Sequence, residues 1–450
     1  MPDYKTPDVY VEEISTLPPS IAEVSTAIPA FIGYTADDSL KLIPTRITTF
    51  LEYKTYFGGA DAVGFTADIN GTTISNVQVT DTRKHKLYYA LDLYFQNGGA
   101  DCYIVSLGKY GDTKSADDFK AGIDALKTED EPTLIILSEA TTLNLTADYY
   151  TVCQHALQQC ADLQDRFCIF DTLPDKAGFN SVQDFRTNIG MNNLSYGAAY
   201  YPYLNTSSNY VYDESKVSLS FYALTSPPGV KKVALADIKQ DQTALYNAVK
   251  QELNKMRVVL PPASVMAGIY ALTDRTRGVW KAPANVSINA IIGPSVKISS
   301  EGQENLNVDA NSGKSINAIR SFVGKGTLVW GARTLAGNDN EWKYVPVRRL
   351  FIMIEESAKK ASYFAVFEPN TAVTWLKVKG MIESFLYGLW QQGAMAGSTS
   401  KAAYYVNVGL GTTMTQPDIL EGRMIVEIGI AAVRPAEFII LRFSHKLQEA

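Results

Sequence analysis

The 450-residue chain has little of what chemistry-bearing sites are usually made from: 3 histidines and 4 cysteines. His85, His155 and His445 neither begin nor complete an HExxH, so the common zinc-hydrolase spacing is missing. Cys102, Cys153, Cys160 and Cys168 show no CxxC spacing and no paired framework, which fits buried free thiols in a reducing cytoplasm. On a helix Cys153 and Cys160 share a face that His155 does not, so a structural thiol pair is favoured over a metal site. No Lys/Arg run exceeds two residues and the formal net charge is −6, which excludes a global basic field for nucleic acid or anionic lipid. No uninterrupted apolar stretch approaches the ~18–20 residues of a membrane helix. "MPDYKTPD" lacks the charged-then-apolar layout of a signal peptide. The expectation is a soluble, cytosol-made protein with no membrane insertion and no nucleic-acid partner.

Catalytic spacings are equally sparse. "NSGKSIN" contains Gly313-Lys314-Ser315, the tail of a phosphate-binding loop, but the glycine required five residues before Gly313 is Val308. Ser295 in "GPSVK" lacks the second glycine of a nucleophile elbow, and "VGLGTT" (408–413) is not a dinucleotide fingerprint. Glu12/Glu13 and Glu355/Glu356 are adjacent, so they splay apart and read as solvated charges rather than an acid/base pair. Asp171, ending "RFCIFDT", sits where an α/β sheet would carry a catalytic acid, yet no base or nucleophile stands near it in sequence. A helix cap or turn is the better reading. No catalytic, cofactor-binding or metal-binding residue is expected, and the chain is not read as an enzyme.

What is present is a globular composition, 46% hydrophobic and 20% charged, with 26 tyrosines suited to half-buried strands and interfaces. The length implies two or three domains. Residues 1–25 read as an extended arm with prolines at 2, 7, 18 and 19, able to reach ~70–80 Å. Within it Val9–Ile14 is strand-like but has no hairpin partner, which leaves its backbone groups unpaired. Residues 26–108 are mixed α/β: Ala30–Tyr34 a buried strand, 82–97 a helix with Leu87, Leu91 and Phe95 on one face, Gly98-Gly99 a stop, and "CYIVSL" a strand. From 109 to 254 strands ("PTLIILS", "RFCIFDT", "YGAAYYPYL") alternate with helices, which implies a small layered α/β unit, read as an insertion.

From residue 255 onward the pattern differs from that of 109–254. Pro346 opens a helix whose Leu350, Ile354, Ala358 and Ala361 share a face, with Glu355/Lys359 and Glu356/Lys360 spaced i,i+4 outside. Pro369-Asn370 closes that segment and is expected to cap the next helix, where Val378, Ile382, Phe385 and Leu389 form the buried stripe. In "RMIVEIGIAAV" Met424, Val426, Ile428 and Ile430 share one strand face, and a last strand runs from about Phe438 to Leu447. A strand-like arm therefore stands at each end.

An ordered set of motifs runs along the chain: "TPDVYVEEISTLPPSIAEVSTAIPAFIGYT" (6–35), "FGG" (57–59), "LYFQNGGADCYIV" (93–105), "KAPAN" (281–285) and "INAIRSFVGKGTLVWGARTL" (316–335). "WKYVPVRRL" (342–350), "FEPN" (367–370), "GAMAG" (393–397) and "RPAEFI" (434–439) complete it. The set resembles the sheath proteins of contractile phage tails and related injection particles. The first motif departs at Asp8, where the family commonly has glycine. The resemblance implies a mixed α/β, multi-domain sheath subunit. Its parts would be an N-terminal arm (1–25), a discontinuous core (26–108 plus 255–433), an outward-facing insertion (109–254) and a C-terminal arm (434–450). It implies a structural subunit that polymerises around an inner tube and contracts to drive the tube through a cell envelope. Assembly would take place in the bacterial cytoplasm, into a phage tail or a released or membrane-anchored particle. Implied partners are other copies of the chain, an inner tube protein, baseplate and terminal cap proteins and any sheath paralogues; no cofactor is implied. The implied donated strands carry Val9, Tyr10, Val11, Glu12 and Ile14, and Phe438, Ile439, Ile440, Leu441 and Phe443. The implied acceptor strand carries Met424, Val426, Ile428 and Ile430, and the helix after "FEPN" would turn Lys377, Lys379 and Glu383 toward the tube; the residues by themselves read as an ordinary solvated helix face, and that alternative stands beside it. The competing readings are a non-contractile tail or capsid subunit and an α/β enzyme using residues 109–254.

Overall fold

A computed structural model of the chain describes residues 21–80, 85–174, 180–223, 229–438 and 440. Its main sheet is built from β1 (Pro29–Thr35), β2 (Thr45–Ile47), β3 (Cys102–Lys109), β4 (Leu134–Ile136), β5 (Phe167–Asp171), β6 (Gly197–Tyr201), β7 (Val286–Ser287), β8 (Ile316–Phe322) and β9 (Gly326–Val329). In space the order is β7-β9-β8-β6-β5-β4-β1-β3-β2. The run β8-β6-β5-β4-β1-β3 is parallel throughout. β2 at one edge and β9 and β7 at the other are antiparallel. Parallel strands are covered on both faces, which is why β1, β4 and β5 read as unbroken apolar runs and are buried along their whole length.

Helices α1 (Leu87–Gln96), α2 (Thr146–Leu163) and α3 (Ala263–Arg277) cover the sheet. Leu87 and Leu91 are buried and Phe95 half-buried, as the periodicity predicts. Gly98, at φ +95°, ends that segment; a Cβ there would stand 2.8 Å from Leu272 of α3, so the stop and the helix contact both require glycine. On α2 Tyr149, Cys153, Ala156 and Cys160 face inward. The thiol nearest Cys160 is that of Cys168 on β5, 3.3 Å away, and all four cysteines are free and buried.

The expected insertion at 109–254 is not set apart. Its strands β4, β5 and β6 lie in the middle of the main sheet, between β1 and β8. A second sheet of four strands joins Val63–Asn70 and Thr73–Val79 to Tyr212–Ala223 and Gly229–Ala234. It closes its own core of Phe65, Val217 and Leu219 against Val249 and Leu253 of the Thr243–Leu253 helix. The expected core and the expected insertion thus each contribute strands to both sheets. The reason is physical: a run of buried strand residues specifies burial, not which strand lies beside it.

The described residues divide into two compact units, 25–353 with 434–438 and 440, and 354–433 with 21–24. The expected continuity of 255–433 therefore breaks inside α4 (Val345–Ala361), after Met353. Pro346 is in the first turn of α4, Leu350, Ile354 and Ala358 are buried, and Lys360 reaches Glu356 at 3.4 Å. The second unit is built on α5 (Ala372–Gln391), with Val378, Ile382, Phe385 and Leu389 inward as predicted. The cap of α5 is Thr371 rather than Asn370, whose side chain accepts from the Trp375 indole at 2.6 Å. α5 packs against a two-stranded sheet of β10 (Tyr404–Val408) and β11 (Val426–Ile430).

Candidate functional site

β10 and β11 are antiparallel, with Tyr404 opposite Ile430, Val406 opposite Ile428 and Val408 opposite Val426. The N–H of Ala431 donates to the Ala403 carbonyl at 2.8 Å, which fixes the parity of the ladder. Residues 429 and 427 then turn their N–H and C=O toward β10, while those of Val426, Ile428 and Ile430 point to the outer edge of β11. Among the described residues nothing pairs with that edge. Met424, Val426, Ile428 and Ile430 are half-buried while Ile425 and Glu427 are exposed, so the alternation seen in the sequence is kept. Met424 itself precedes the strand. Gly429 is required by a close approach: a Cβ would stand 2.1 Å from the Tyr405 ring, which lies across it and donates to Glu427 Oε1 at 3.0 Å.

Of the expected donor residues, Val9, Tyr10, Val11, Glu12 and Ile14, and Ile439, Leu441 and Phe443, lie outside the described residues. Phe438 and Ile440 are described, 72% and 76% exposed and in no strand; the rest of the strand expected over about 438–447 lies outside the described residues. Just before Phe438 the chain is held firmly. Glu437 forms a bidentate pair with Arg333, Nε to Oε1 at 3.0 Å and Nη2 to Oε2 at 2.5 Å, and accepts from the Tyr344 hydroxyl at 3.3 Å.

On α5 Lys377 is exposed, and Lys379 and Glu383 pair at 3.7 Å, one turn apart. Lys379 and Glu383 also line a groove of about 390 Å³ whose other wall is Lys401 and residues 404–407 of β10. The outer face of α5 additionally exposes Val373 (64%), Leu376 (69%) and Tyr387 (48%). Sequence reading missed this apolar face because the inward stripe already accounted for one side of the helix. The available signal was Val373, Leu376 and Tyr387 recurring at helical spacing on the opposite side.

The crevice where a sheet of this topology could hold a ligand is filled. The chain moves from β1 to β3 on one side and returns to β4 on the other, so the switch point lies between β1 and β4. There Glu139 accepts from His85 Nδ1 at 2.6 Å, Lys114 stands 3.5 Å away and Lys86 donates to the Val259 carbonyl at 3.2 Å. The remaining space, about 10 Å³, holds about one water. Asp171 caps α3: its Oδ1 accepts from the Ala263 N–H at 2.6 Å and its Oδ2 from the Ser138 hydroxyl at 3.0 Å. Burial raises this carboxyl to about 7, and burial lowers the Lys86 ammonium to about 8. In "NSGKSIN" the Lys314 ammonium is buried on the Arg186 carbonyl and Ser315 donates to the Asn307 carbonyl at 2.6 Å. Both groups face protein rather than an open phosphate cradle.

Comparison with known proteins bears on the same regions. Residues 337–446 match the family model of the phage tail sheath C-terminal domain. The chain is 22% identical over 409 residues to the tail sheath protein of Vibrio phage KVP40, covering 83% of this chain and 55% of that one. It thus spans about half the length of that curated relative. Among solved structures it is similar to the sheath of an extracellular contractile injection system, the PVC sheath complex in its contracted state. Identity there is 30% and the TM-score 0.67, over 100% of this chain and 99% of the other. The helical sheath of the anti-feeding prophage in its contracted state is 32% identical, with a TM-score of 0.64 over 99% and 100% of the two chains.

Proposed function

As the chain belongs to the contractile tail sheath family, we propose that it is a structural subunit that polymerises around an inner tube and contracts to drive that tube through a target envelope. Neighbouring copies are joined by strands lent from both ends, with Val9–Ile14 and the segment beginning at Phe438 as donors and the β10–β11 sheet as acceptor. The observation that carries this reading is the outer edge of β11, which has no pairing strand among the described residues and has the backbone groups of Val426, Ile428 and Ile430 directed at it. Strand addition satisfies such groups by main-chain bonds and leaves register to side chains. Val9, Val11 and Glu13 alternate with Tyr10, Glu12 and Ile14, so neither face of the N-terminal strand is fully apolar. Its hold rests on backbone pairing more than on buried side chains.

α5 presents Lys377, Lys379 and Glu383 to the tube. Baseplate and terminal cap proteins bound the polymer, which assembles in the bacterial cytoplasm as part of a phage tail or tail-like particle. The filled crevice at the switch point supports a body that acts as a structural unit in this role. Electron microscopy tests the proposal directly. The full chain should form hollow, striated cylinders, and a chain lacking residues 1–20 should stay folded without forming them. Normal cylinders from the shortened chain would remove the lent-strand linkage.

A further inference from the structure

The Arg333–Glu437 pair joins residues 104 apart in sequence at the place where the C-terminal segment leaves the body. Arg333 is held on both sides. Its N–H donates to Asn317 Oδ1 at 2.8 Å, and Asn317 Nδ2 returns a bond to the Arg333 carbonyl at 2.7 Å and another to Ala199 of β6 at 3.2 Å. The side chains of Arg333 and Glu437 are 7% and 18% exposed, and exposure rises to 72% at Phe438. Residues 435–438 form one wall of a groove of about 420 Å³ whose other wall carries Asn285, Gln303, Asn307 and Trp330. The division between the two compact units falls just upstream, between Val433 and Arg434.

We propose that Arg333 and Glu437 are positioning residues that set the zero point of the C-terminal arm, so that the arm's register is counted from Glu437 and not from β11. A bidentate pair fixes one carboxylate in direction as well as distance. A strand displaced by one residue turns every side chain to the opposite face, so the origin of the count decides whether a lent strand fits its acceptor. The inference rests on the lent-strand reading above and deepens it by naming what sets the C-terminal strand in place.

The test compares two single-glycine insertions in the full chain, one between Val433 and Arg434 and one between Phe438 and Ile439. Both leave the pair intact. With the count starting at Glu437, the upstream insertion is absorbed and the concentration for half-maximal polymerisation stays within about twofold. The downstream insertion raises it tenfold or more. Equal effects of the two insertions overturn the proposal. Glu437→Gln and Arg333→Lys supply an independent reading. Each should raise that concentration about tenfold while leaving the thermal midpoint of the dilute subunit near its original value. Polymerisation at the original concentration, or a loss that only tracks the midpoint, also overturns it. Deleting residues 439–450 separates the two levels: cylinders from that chain sink the lent C-terminal strand itself, whatever the insertions do.

Discussion

Asp171, buried, and Lys86, half-buried, are ionisable side chains with opposite consequences for stability. The folded-state pKa of Asp171, about 7, lies above the unfolded value near 4. Between these the folded state binds more protons, so its contribution to stability is lost as pH rises from about 4 to about 7. Lys86, lowered to about 8, works the other way: between about 8 and about 10.5 the unfolded chain holds the extra proton, and stability rises with pH. Urea unfolding of dilute subunit should show both slopes. Asp171→Asn should flatten the lower one and Lys86→Met the upper one; a lower slope unchanged in Asp171→Asn would mean another group carries it. The sequence located Asp171 at a strand end and favoured a cap, and the Ala263 N–H is the group it caps. Its partners on α3 and at Ser138 were not legible, because they are 92 and 33 residues away. Arg333 offered one clue, a charge between two residues that pack inward, Ala332 and Thr334. A buried guanidinium demands a counter-charge, but only the fold identifies it as Glu437.

At the scale of elements, periodicity specified α4 and α5 well, since Val378, Ile382, Phe385 and Leu389 could face only one way on a helix. It specified the parallel strands as elements and failed on their neighbours, which is how β4, β5 and β6 came to be read as an insertion. The β10–β11 ladder gives a sharp contrast between adjacent residues. The Ile428 N–H points to the open edge, whereas the Gly429 N–H bonds across to β10. Ile428→Pro should therefore keep the dilute subunit folded and raise the polymerisation concentration at least tenfold, because it removes a donor needed only by an incoming strand. Gly429→Pro should instead destabilise the unit itself by about 1–3 kcal/mol through the lost ladder bond, read as a lower melting midpoint without any assembly. Equal behaviour of the two would contradict the assigned edge. For α5, reversing Lys377 and Lys379 to Glu should impair assembly on the tube and spare tube-free polymerisation. Unchanged co-assembly would exclude this face as the tube contact.

For the whole molecule, the β10–β11 sheet has only two strands and rests on α5 for its support, so a third strand from a neighbour adds main-chain pairing that the subunit alone lacks. Polymerisation then stabilises the folded subunit by mass action, and its melting midpoint should climb with protein concentration. The chain lacking residues 1–20 should melt at one temperature at every concentration; a concentration-dependent midpoint there would show that copies associate without the N-terminal strand. In the proposed role, contraction would need only a small bias in each copy. About 1–2 kcal/mol per subunit, summed over a polymer that switches together, exceeds what any single two-state element needs.

The buried hold on Glu437 also has a mechanical meaning. If the C-terminal segment is lent to a neighbour as proposed, tension on it would enter the body at Arg333, pass through Asn317 to β8 and β6, and be spread over the parallel sheet. The stretch from Val433 to Ala436 lies outside that load path, so β11 is spared a pull from its own tail. A tug from one neighbour would leave the strand reserved for another in its place, and a lattice could shorten under strain without unravelling.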